Sequence, residues 1–326
     1  SDEGCSGTSA PIQVTVNPNP TPSVNPIGPT TFCQGGSVTL TTGSYASYLW
    51  STGATTQSIT VTQGGSYTVT VTNGNGCQGT SAPFNITVNS LPTPTVTASG
   101  PTTFCQGGSV TLTASAASSY LWSNGATTQS INVTTAGSYS VTVTNANGCQ
   151  GTSSPVVVTV NSNPSPTITA GGPTTFCNGN SVVLTASVAS SYLWSTGATT
   201  QSITVTASGS YTVTVTNANG CSGTSAPTNV TVNNNPNPTV TANGPTTFCQ
   251  GGSVTLTATG VPGNPSFLWS NGATTNQIVV TTGGQYSVTV TNNNTGCSGT
   301  SAPITVTVNT NPEPTVTASG PTTFCQ

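Results

Sequence analysis

The chain has 326 residues, and its charged side chains are Asp2, Glu3 and Glu313; it has no lysine, arginine or histidine. Because the chain has no cationic side chain, it cannot make the phosphate contacts or release the counterions on which nucleic-acid binding depends. For the same reason, an anionic membrane surface has no positive charge on the chain to attract. No stretch approaches the roughly 18 consecutive apolar residues of a membrane-spanning helix, so the composition predicts no nucleic-acid partner and no membrane insertion.

Along the chain, residues 1–19 are predicted to be the last strand of a preceding repeat, because Ser9–Val16 alternates as the ends of later copies do. A repeated sequence then begins. The string PTTFC recurs at an almost constant interval, and its copies end at Cys33, Cys105, Cys177, Cys249 and Cys325. The spacing predicts four repeats, at 20–91, 92–163, 164–235 and 236–311, and the first strand of a following repeat at 312–326.

One copy shows how each repeat is built. Apolar residues alternate with Thr, Ser and Asn, which predicts strands at Thr95–Ser99, Ser109–Ser115, Ser119–Ser123, Ser130–Thr134, Ser138–Asn145 and Pro155–Val160. Period-2 alternation, interrupted every 8–12 residues or so by Gly and Asn, is typical of an all-β domain. Six or seven short strands in about 72 residues indicate a small β-sandwich.

A Pro-x-Pro segment joins successive copies, at Pro20–Pro22, Pro92–Pro94, Pro164–Pro166, Pro236–Pro238 and Pro312–Pro314. Such segments favour the stiff polyproline II conformation. The repeats are therefore predicted to form an elongated rod.

Each copy has one tryptophan on its third predicted strand and one tyrosine after a Gly-x pair. The residues are Trp50, Trp122, Trp194 and Trp269, and Tyr67, Tyr139, Tyr211 and Tyr286. The flanking YLW or FLW pattern favours a core role for the tryptophans over carbohydrate stacking. The tyrosines are predicted to be tyrosine-corner residues, whose hydroxyls bond back to the backbone.

Two runs carry a resemblance to a known family. Trp122–Cys149 (WSNGATTQSINVTTAGSYSVTVTNANGC) resembles the repeats of SprB-type gliding adhesins, and Phe104–Ser115 (FCQGGSVTLTAS) resembles the Ig-like repeats of giant surface proteins of Bacteroidota. The resemblance covers essentially the whole chain. It implies an Ig-like fold, export by the type IX system, and a role in adhesion or filament building. SprB-type repeats commonly carry Asp where this chain has Asn145 and Asn217, so calcium-site chemistry is not expected here.

Composition also argues against catalysis. A general base is usually His, Lys or a carboxylate, and none of these recurs with the repeat. Calcium sites need clustered carboxylates. Zinc held by cysteines alone needs four closely spaced thiolates, whereas the cysteines of this chain stand singly and far apart in the sequence. The sequence therefore predicts a non-enzyme with no catalytic residue, no cofactor and no metal.

Ten cysteines are predicted to form structural disulfides, which are typical of extracellular proteins: Cys5, Cys33, Cys77, Cys105, Cys149, Cys177, Cys221, Cys249, Cys297 and Cys325. Three pairings fit their regular spacing. The first pairs the two cysteines of one repeat, as in Cys33–Cys77, and closes each repeat on itself. The second pairs cysteines on either side of a linker, as in Cys77–Cys105, and closes the linker into a loop. The third links Cys33 to Cys149 and Cys105 to Cys221, and so joins each repeat to the next.

Strand topology bears on this choice. A seven-strand Ig sandwich places the two cysteines of a repeat at opposite ends, about 25 Å apart at roughly 3.3 Å per residue, which favours the link to the next repeat. If a strand is missing between Trp122 and Tyr139, the last hairpin changes ends and the self-closing pair becomes natural. We favour the self-closing pair at this point, because it requires no defined geometry between repeats.

Together these features predict a structural stalk or fibre segment at the cell surface or outside the cell. The alternative is an adhesin whose repeats themselves bind glycans or surfaces. The expected partners are adjacent repeats or other copies of the chain, in a fibre or bundle, with strand exchange between copies as one route. Glycans are the other candidate partner.

Overall fold

The computed structural model describes residues 3–261 and 263–323. This part of the chain forms β-strands and contains no helix. Residues through Asn161 belong to one compact unit, and residues from Ser162 belong to a second. The first unit contains repeats 1 and 2, and the second contains repeats 3 and 4.

Nine strands recur in each repeat. Repeat 1 has β1 (Asn25–Ile27), β2 (Thr31–Cys33), β3 (Val38–Thr41), β4 (Ser47–Trp50), β5 (Ser58–Val61), β6 (Gly65–Tyr67), β7 (Val69–Thr72), β8 (Gln78–Thr80) and β9 (Phe84–Asn89). Repeat 2 has β10 (Val96–Ala98), β11 (Thr103–Cys105), β12 (Val110–Ala114), β13 (Ser119–Trp122), β14 (Ser130–Val133), β15 (Gly137–Tyr139), β16 (Val141–Thr144), β17 (Gln150–Thr152) and β18 (Val156–Asn161).

The second unit has the same order. Repeat 3 has β19 (Ile168–Ala170), β20 (Thr175–Cys177), β21 (Val182–Ala186), β22 (Ser191–Trp194), β23 (Ser202–Val205), β24 (Gly209–Tyr211), β25 (Val213–Thr216), β26 (Ser222–Thr224) and β27 (Thr228–Asn233). Repeat 4 has β28 (Thr239–Asn243), β29 (Thr247–Cys249), β30 (Val254–Thr259), β31 (Pro265–Trp269), β32 (Gln277–Val280), β33 (Gly284–Tyr286), β34 (Val288–Asn292), β35 (Cys297–Thr300) and β36 (Ile304–Asn309).

Two layers form each sandwich, as repeat 2 shows. In one layer β12 lies between β10 and β14, antiparallel to both. In the other, β16 pairs antiparallel with β13 and β17, while β18 pairs antiparallel with β15 and parallel with β11. Strands β15–β16 and β17–β18 thus form one long interrupted hairpin. At the interruption the Val141 N–H donates to Ser153 Oγ (3.1 Å), and the Ser153 N–H donates to the Val141 carbonyl (2.9 Å).

The core lies between these layers, because strands turn alternate side chains inward. On β12, Val110, Leu112 and Ala114 are buried, and the two threonines between them are partly exposed. The inward residues of both layers form one apolar cluster around Trp122. Equivalent clusters occur in the other three repeats. The predicted tandem β-sandwich architecture is confirmed.

The terminal segments differ from the prediction. Residues 3–24 form no strand, although Ser9–Val16 alternates, and its apolar residues are exposed (Ile12 90%, Val14 80%, Val16 87%). A strand needs a neighbouring strand to satisfy its backbone groups, and this segment pairs with none in the described structure. Residues 312–323 also form no strand, and 324–326 lie outside the described residues.

Candidate functional site: the junction between repeats

The two cysteines of a repeat lie at opposite ends of its last strands. Cys105 ends β11 and pairs in register with Asn161, the last residue of β18. Cys149 lies in the hairpin turn just before β17, where the Asn145 N–H donates to its carbonyl (2.9 Å). The hairpin arm from this turn to Asn161 is about 35 Å long at roughly 3.3 Å per residue. A disulfide needs Cα atoms within about 7 Å, so a repeat cannot close on itself.

Disulfides instead join neighbouring repeats within each unit. Cys33 of repeat 1 is bonded to Cys149 of repeat 2, with Cα atoms 5.6 Å apart. Cys177 of repeat 3 is bonded to Cys297 of repeat 4, with Cα atoms 5.5 Å apart. The self-closing pair favoured by the sequence is therefore wrong, and so is pairing across a linker.

The remaining cysteines fall into three groups. Cys105 and Cys221 are disulfide-bonded. Cys5, Cys77 and Cys249 carry free thiols, which corrects the prediction that all ten cysteines form disulfides in this chain. Cys325 lies outside the described residues.

Between Trp122 and Tyr139 the structure has one strand, β14, and none lies between β13 and β14. The absence of a further strand there does not bring the two cysteines of a repeat together. The Trp122 N–H donates to the Ala126 carbonyl, and Trp122 Nε1 donates to Thr128 O, both at 2.8 Å. Strand β16 is antiparallel to β13, and the turn of the last hairpin, with Cys149, stays at the end of the sandwich opposite Cys105.

An asparagine in that hairpin turn contacts the preceding repeat. Asn145 Oδ1 accepts the N–H groups of Asn147 and Cys149, each at 3.0 Å. Its Nδ2 donates to the carbonyl of Ser90, just after the last strand of repeat 1 (3.1 Å). Asn217 of repeat 3 repeats both interactions, with Ser162 O, just after the last strand of repeat 2, as acceptor. In repeat 4 the equivalent Asn292 Oδ1 accepts the Asn294 N–H (3.0 Å), and the Cys297 N–H donates to Thr295 Oγ1 (3.4 Å). An ionised aspartate cannot donate to the Ser90 carbonyl, so this contact requires the amide of an asparagine.

A glycine within the eighth strand of each repeat, such as Gly151 in β17, lets the linker cross that strand. A Cβ on Gly151 would overlap the carbonyl oxygen of Pro92. The same overlap would occur between Gly79 and Pro20, Gly223 and Pro164, and Gly299 and Pro236. Each linker is thus packed on the repeat that follows it. The second proline of each linker is buried, at Pro22, Pro94, Pro166 and Pro238.

The aromatic residues are structural. All four tryptophans are 2% exposed, and each donates its indole N–H to a threonine carbonyl six residues on, at 2.8 Å. This burial leaves no ring face for carbohydrate stacking. The tyrosine hydroxyls donate to a carbonyl four residues earlier, at 2.9–3.0 Å, as a tyrosine corner does. Tyr139 and Tyr286 are buried, whereas Tyr67 and Tyr211 are partly exposed.

Chemistry-bearing groups are sparse. Within residues 3–261 and 263–323, no group of three or more His, Cys, Asp or Glu side chains could hold a metal ion. The same part of the chain has no helix long and apolar enough to cross a membrane. The structured feature shared by the two units is the junction between their repeats, which consists of the disulfide, the linker and the glycine beneath the linker. In the first unit the turn asparagine Asn145 is added to it.

Sequence reasoning missed two members of this junction. The turn asparagine and the glycine both recur with the repeat, in the motifs TNxNG (TNNNTG in repeat 4) and C-[QS]-G-T-S, so a signal was present. Periodicity shows that a residue matters to the repeat unit. It does not show that the residue contacts the neighbouring unit.

No protein-family model matches the chain, and no curated protein matches it. Among solved structures, it is similar to the three N-terminal domains of the highly immunogenic outer capsid protein (Hoc) of bacteriophage RB49, at 17% identity and a TM-score of 0.27, covering 67% of this chain and 98% of that one. It is similar to the ICAM-5 D1–D4 ectodomain fragment, at 14% identity and a TM-score of 0.38, covering 89% and 99%. For Sidekick-1 immunoglobulin domains 1–4, identity is 15% and the TM-score 0.26, with the same coverage. The layers and strand order within each repeat make this chain a tandem array of Ig-like β-sandwiches.

Proposed function

We propose that the chain is a non-enzymatic segment of an extracellular stalk, in which disulfides between repeats carry tension. The observation that supports this is the pairing of Cys33 with Cys149 and of Cys177 with Cys297. A disulfide that closed one repeat would protect that repeat alone. A disulfide between repeats gives two neighbours a second covalent connection beside the linker.

These disulfides shorten the covalent path for a pulling force. Between Cys33 and Cys297, only residues 150–176 lie outside the two disulfide loops. That stretch consists of β17 to β20 and a Pro-x-Pro linker, and strands are already near full extension. Tension therefore passes along extended strands and across sulfur bonds, and the cores around the tryptophans bear little load.

Composition supports durability in the same role. A chain without Lys or Arg offers no site to trypsin-like proteases. A disulfide that closes a long loop typically adds about 2–4 kcal/mol of stability. Disulfides persist in oxidising compartments, which supports a cell-surface or extracellular location. The finer assignment, to a SprB-type surface protein of Bacteroidota exported by the type IX system, rests on the resemblance of Trp122–Cys149 to those repeats.

The stalk proposal predicts that the disulfide restricts motion between repeats 1 and 2. Spin labels on noncanonical residues at positions 49 and 121 would report it, since Leu49 and Leu121 are 54% and 55% exposed. We expect a narrow distribution of label distances in the oxidised chain, and a distinctly wider one after Cys33→Ser with Cys149→Ser. Pulsed electron paramagnetic resonance measures both distributions.

A matched control is the pair Cys177→Ser and Cys297→Ser, which removes the equivalent disulfide from the other unit. It should leave the distance distribution between residues 49 and 121 unchanged. If loss of the Cys33–Cys149 bond also leaves that distribution unchanged, the disulfide does not stiffen the junction and the proposal fails.

A further inference from the structure

One layer of each sandwich ends in a strand with a free outer edge. The strands are β5, β14, β23 and β32, and in the described chain each of them pairs with a single neighbour. We propose that this edge pairs antiparallel with the same edge of a second copy of the chain, so that stalks associate side by side. The inference goes beyond the proposed function, because it concerns contacts between chains and does not depend on the disulfides within one chain.

Backbone groups of Ser58 and Thr60 form the free edge of β5. The Thr42 N–H donates to the Gln57 carbonyl (3.3 Å), so Gln57 faces β3. Residues of an antiparallel pair alternate between facing the partner strand and facing away from it, which places the N–H and C=O groups of Ser58 and Thr60 on the outer side. The same bond recurs in the other repeats, where the outward-facing residues are Ser130 and Asn132, Ser202 and Thr204, and Gln277 and Val279.

A threonine just before the strand covers part of this edge. Thr56 Oγ1 donates to the Ser58 carbonyl (2.6 Å), and the corresponding threonine of each other repeat makes the equivalent bond. A carbonyl oxygen has two lone pairs, so it can accept a second bond. The N–H groups of Ser58 and Thr60 and the Thr60 carbonyl have no partner among the described residues. Most of the edge is therefore open to another strand.

Other edges of the sandwich are protected. On the opposite side of the same layer, Pro26 lies within β1, and β10, β19 and β28 begin one or two residues after a linker proline. In the other layer, the linker crosses β17 at Gly151, and on the edge of β13 the Trp122 N–H donates to the Ala126 carbonyl. Natural proteins commonly protect edge strands with proline, lysine or a covering segment. Strands β5, β14, β23 and β32 contain no proline and no charged residue.

The exposed side chains along this edge suit a copy of itself. Ser58 and Thr60 are exposed, and Thr60 Oγ1 lies 3.4 Å from Thr39 Oγ1 on β3. In repeat 2, Ser130 Oγ lies 2.9 Å from Thr113 Oγ1. Hydroxyl side chains directly opposite each other on neighbouring strands stabilise a sheet. A second copy lying antiparallel places Ser58 opposite its Thr60, and so continues the row of hydroxyls across the contact.

Symmetry, recurrence and charge favour a second copy over an unrelated strand. A two-fold pair uses the same surface on both chains, so one edge supplies both halves of the contact. The edge recurs in all four repeats, and contacts that form along one pair of chains strengthen one another through effective concentration. The net charge of −3 over 326 residues gives little repulsion between chains.

Four substitutions, one on each edge, test the proposal: Thr60→Lys, Asn132→Lys, Thr204→Lys and Val279→Lys. These positions are exposed, and lysine there puts a charge and a long side chain where the second strand must lie. The oxidised full chain and the variant are compared by sedimentation velocity at increasing concentration, with free thiols blocked by iodoacetamide so that new disulfides do not contribute. We expect the original chain to form dimers and larger species, and the variant to need a roughly 100-fold higher concentration, because avidity is lost.

The matched control carries Leu49→Lys, Leu121→Lys, Leu193→Lys and Leu268→Lys. It has the same net charge as the edge variant, and these leucines are 54–56% exposed on a strand of the other layer. We expect it to associate as the original chain does. Loss of association in the control would overturn the proposal, because it would mean that charge or the exposed leucines decide association rather than the edge. An original chain that stays monomeric at all concentrations would overturn it too.

Proline at the four edge positions gives a variant without added charge. Each of these N–H groups faces outward, so proline removes no hydrogen bond within the chain, and proline is tolerated on edge strands. This variant should also stay monomeric, and its non-reduced peptide maps should keep the Cys33–Cys149 and Cys177–Cys297 bonds of the folded chain. In the original chain, hydrogen exchange of β14 should slow as concentration rises, while exchange of β10 stays unchanged. Association without protection of β14 would place the contact elsewhere and contradict the proposal.

Discussion

Replacing Trp122 with alanine is expected to lower the free energy of unfolding of repeat 2 by about 3–5 kcal/mol. The indole is 2% exposed and lies at the centre of the core cluster. Its removal leaves a cavity between the two layers, and it strips the Thr128 carbonyl of a hydrogen bond of 2.8 Å. Small domains are stable by only about 5–15 kcal/mol, so this loss is a large share of the total.

Hydrogen–deuterium exchange with mass spectrometry suits this test, because it resolves repeats that do not unfold as one two-state system. Peptides from β14 and β16 should lose protection, and the equivalent peptides of repeat 4 should not. The control is Leu121→Ala, since Leu121 is 55% exposed on the same strand; its effect should stay within about 0.5 kcal/mol. Equal effects of the two substitutions would show that Trp122 is not the core residue described.

The second large effect is expected from Gly79→Ala, which adds one carbon atom. The new Cβ would overlap the carbonyl oxygen of Pro20, which is backbone and cannot rotate away. The linker must shift, and the buried Pro22 and Val24 shift with it. Overpacking of this kind costs about 1–3 kcal/mol, and here it falls on the attachment of the linker to repeat 1.

Gly74→Ala is the matched control in the same hairpin. A Cβ there meets no atom within 4 Å, and this glycine does not have a positive φ. Repeats 2 and 3 already have Ala146 and Ala218 at this position. Hydrogen exchange of residues 20–28 should accelerate in Gly79→Ala and stay unchanged in Gly74→Ala. Acceleration in both variants, or in neither, would contradict the packing of the linker against Gly79.

Local patterns in the sequence predicted most of the strands, but they missed the short β11 and β17, and the predicted strand Ser138–Asn145 is interrupted between β15 and β16. In Val110–Ala114 the alternation of apolar residues with threonine matches the observed burial residue by residue. The tryptophan and tyrosine roles followed from their places on strands, and the tyrosine hydroxyl bonds have the predicted form. These features depend on residues close in sequence, where side-chain direction is fixed by the backbone.

The cysteine pairing could not be predicted, because a strict repeat makes several pairings equally regular. The choice depends on which end of the sandwich the last hairpin turn occupies, and that depends on how residues 123–129 run without forming a strand. Ser9–Val16 shows that a strand-like pattern alone does not make a strand. It alternates as a strand does, but no neighbouring strand is available to it in the described structure.

The inter-repeat disulfides connect the repeats of a sequence that has almost no charged side chains, which suits the proposed stalk. The chain has no cation and three carboxylates, so neither salt bridges nor titrating networks connect its repeats. Sulfur bonds and the packing of the linkers make those connections within each unit, and the turn asparagine Asn145 adds a hydrogen bond in the first unit. Such a junction is insensitive to salt, because charge screening has nothing to act on.

Force spectroscopy of single oxidised chains, held at their two ends, tests the central claim that disulfides join successive repeats. Only residues 150–176 can extend between Cys33 and Cys297 in the structure described, which allows roughly 100 Å at full extension. Reduction should release the two loops, with sequence separations of 116 and 120 residues, or roughly 400 Å each. An oxidised chain that extends by roughly 300 Å over the same interval would contradict the account, because that is the length left free by self-closed repeats.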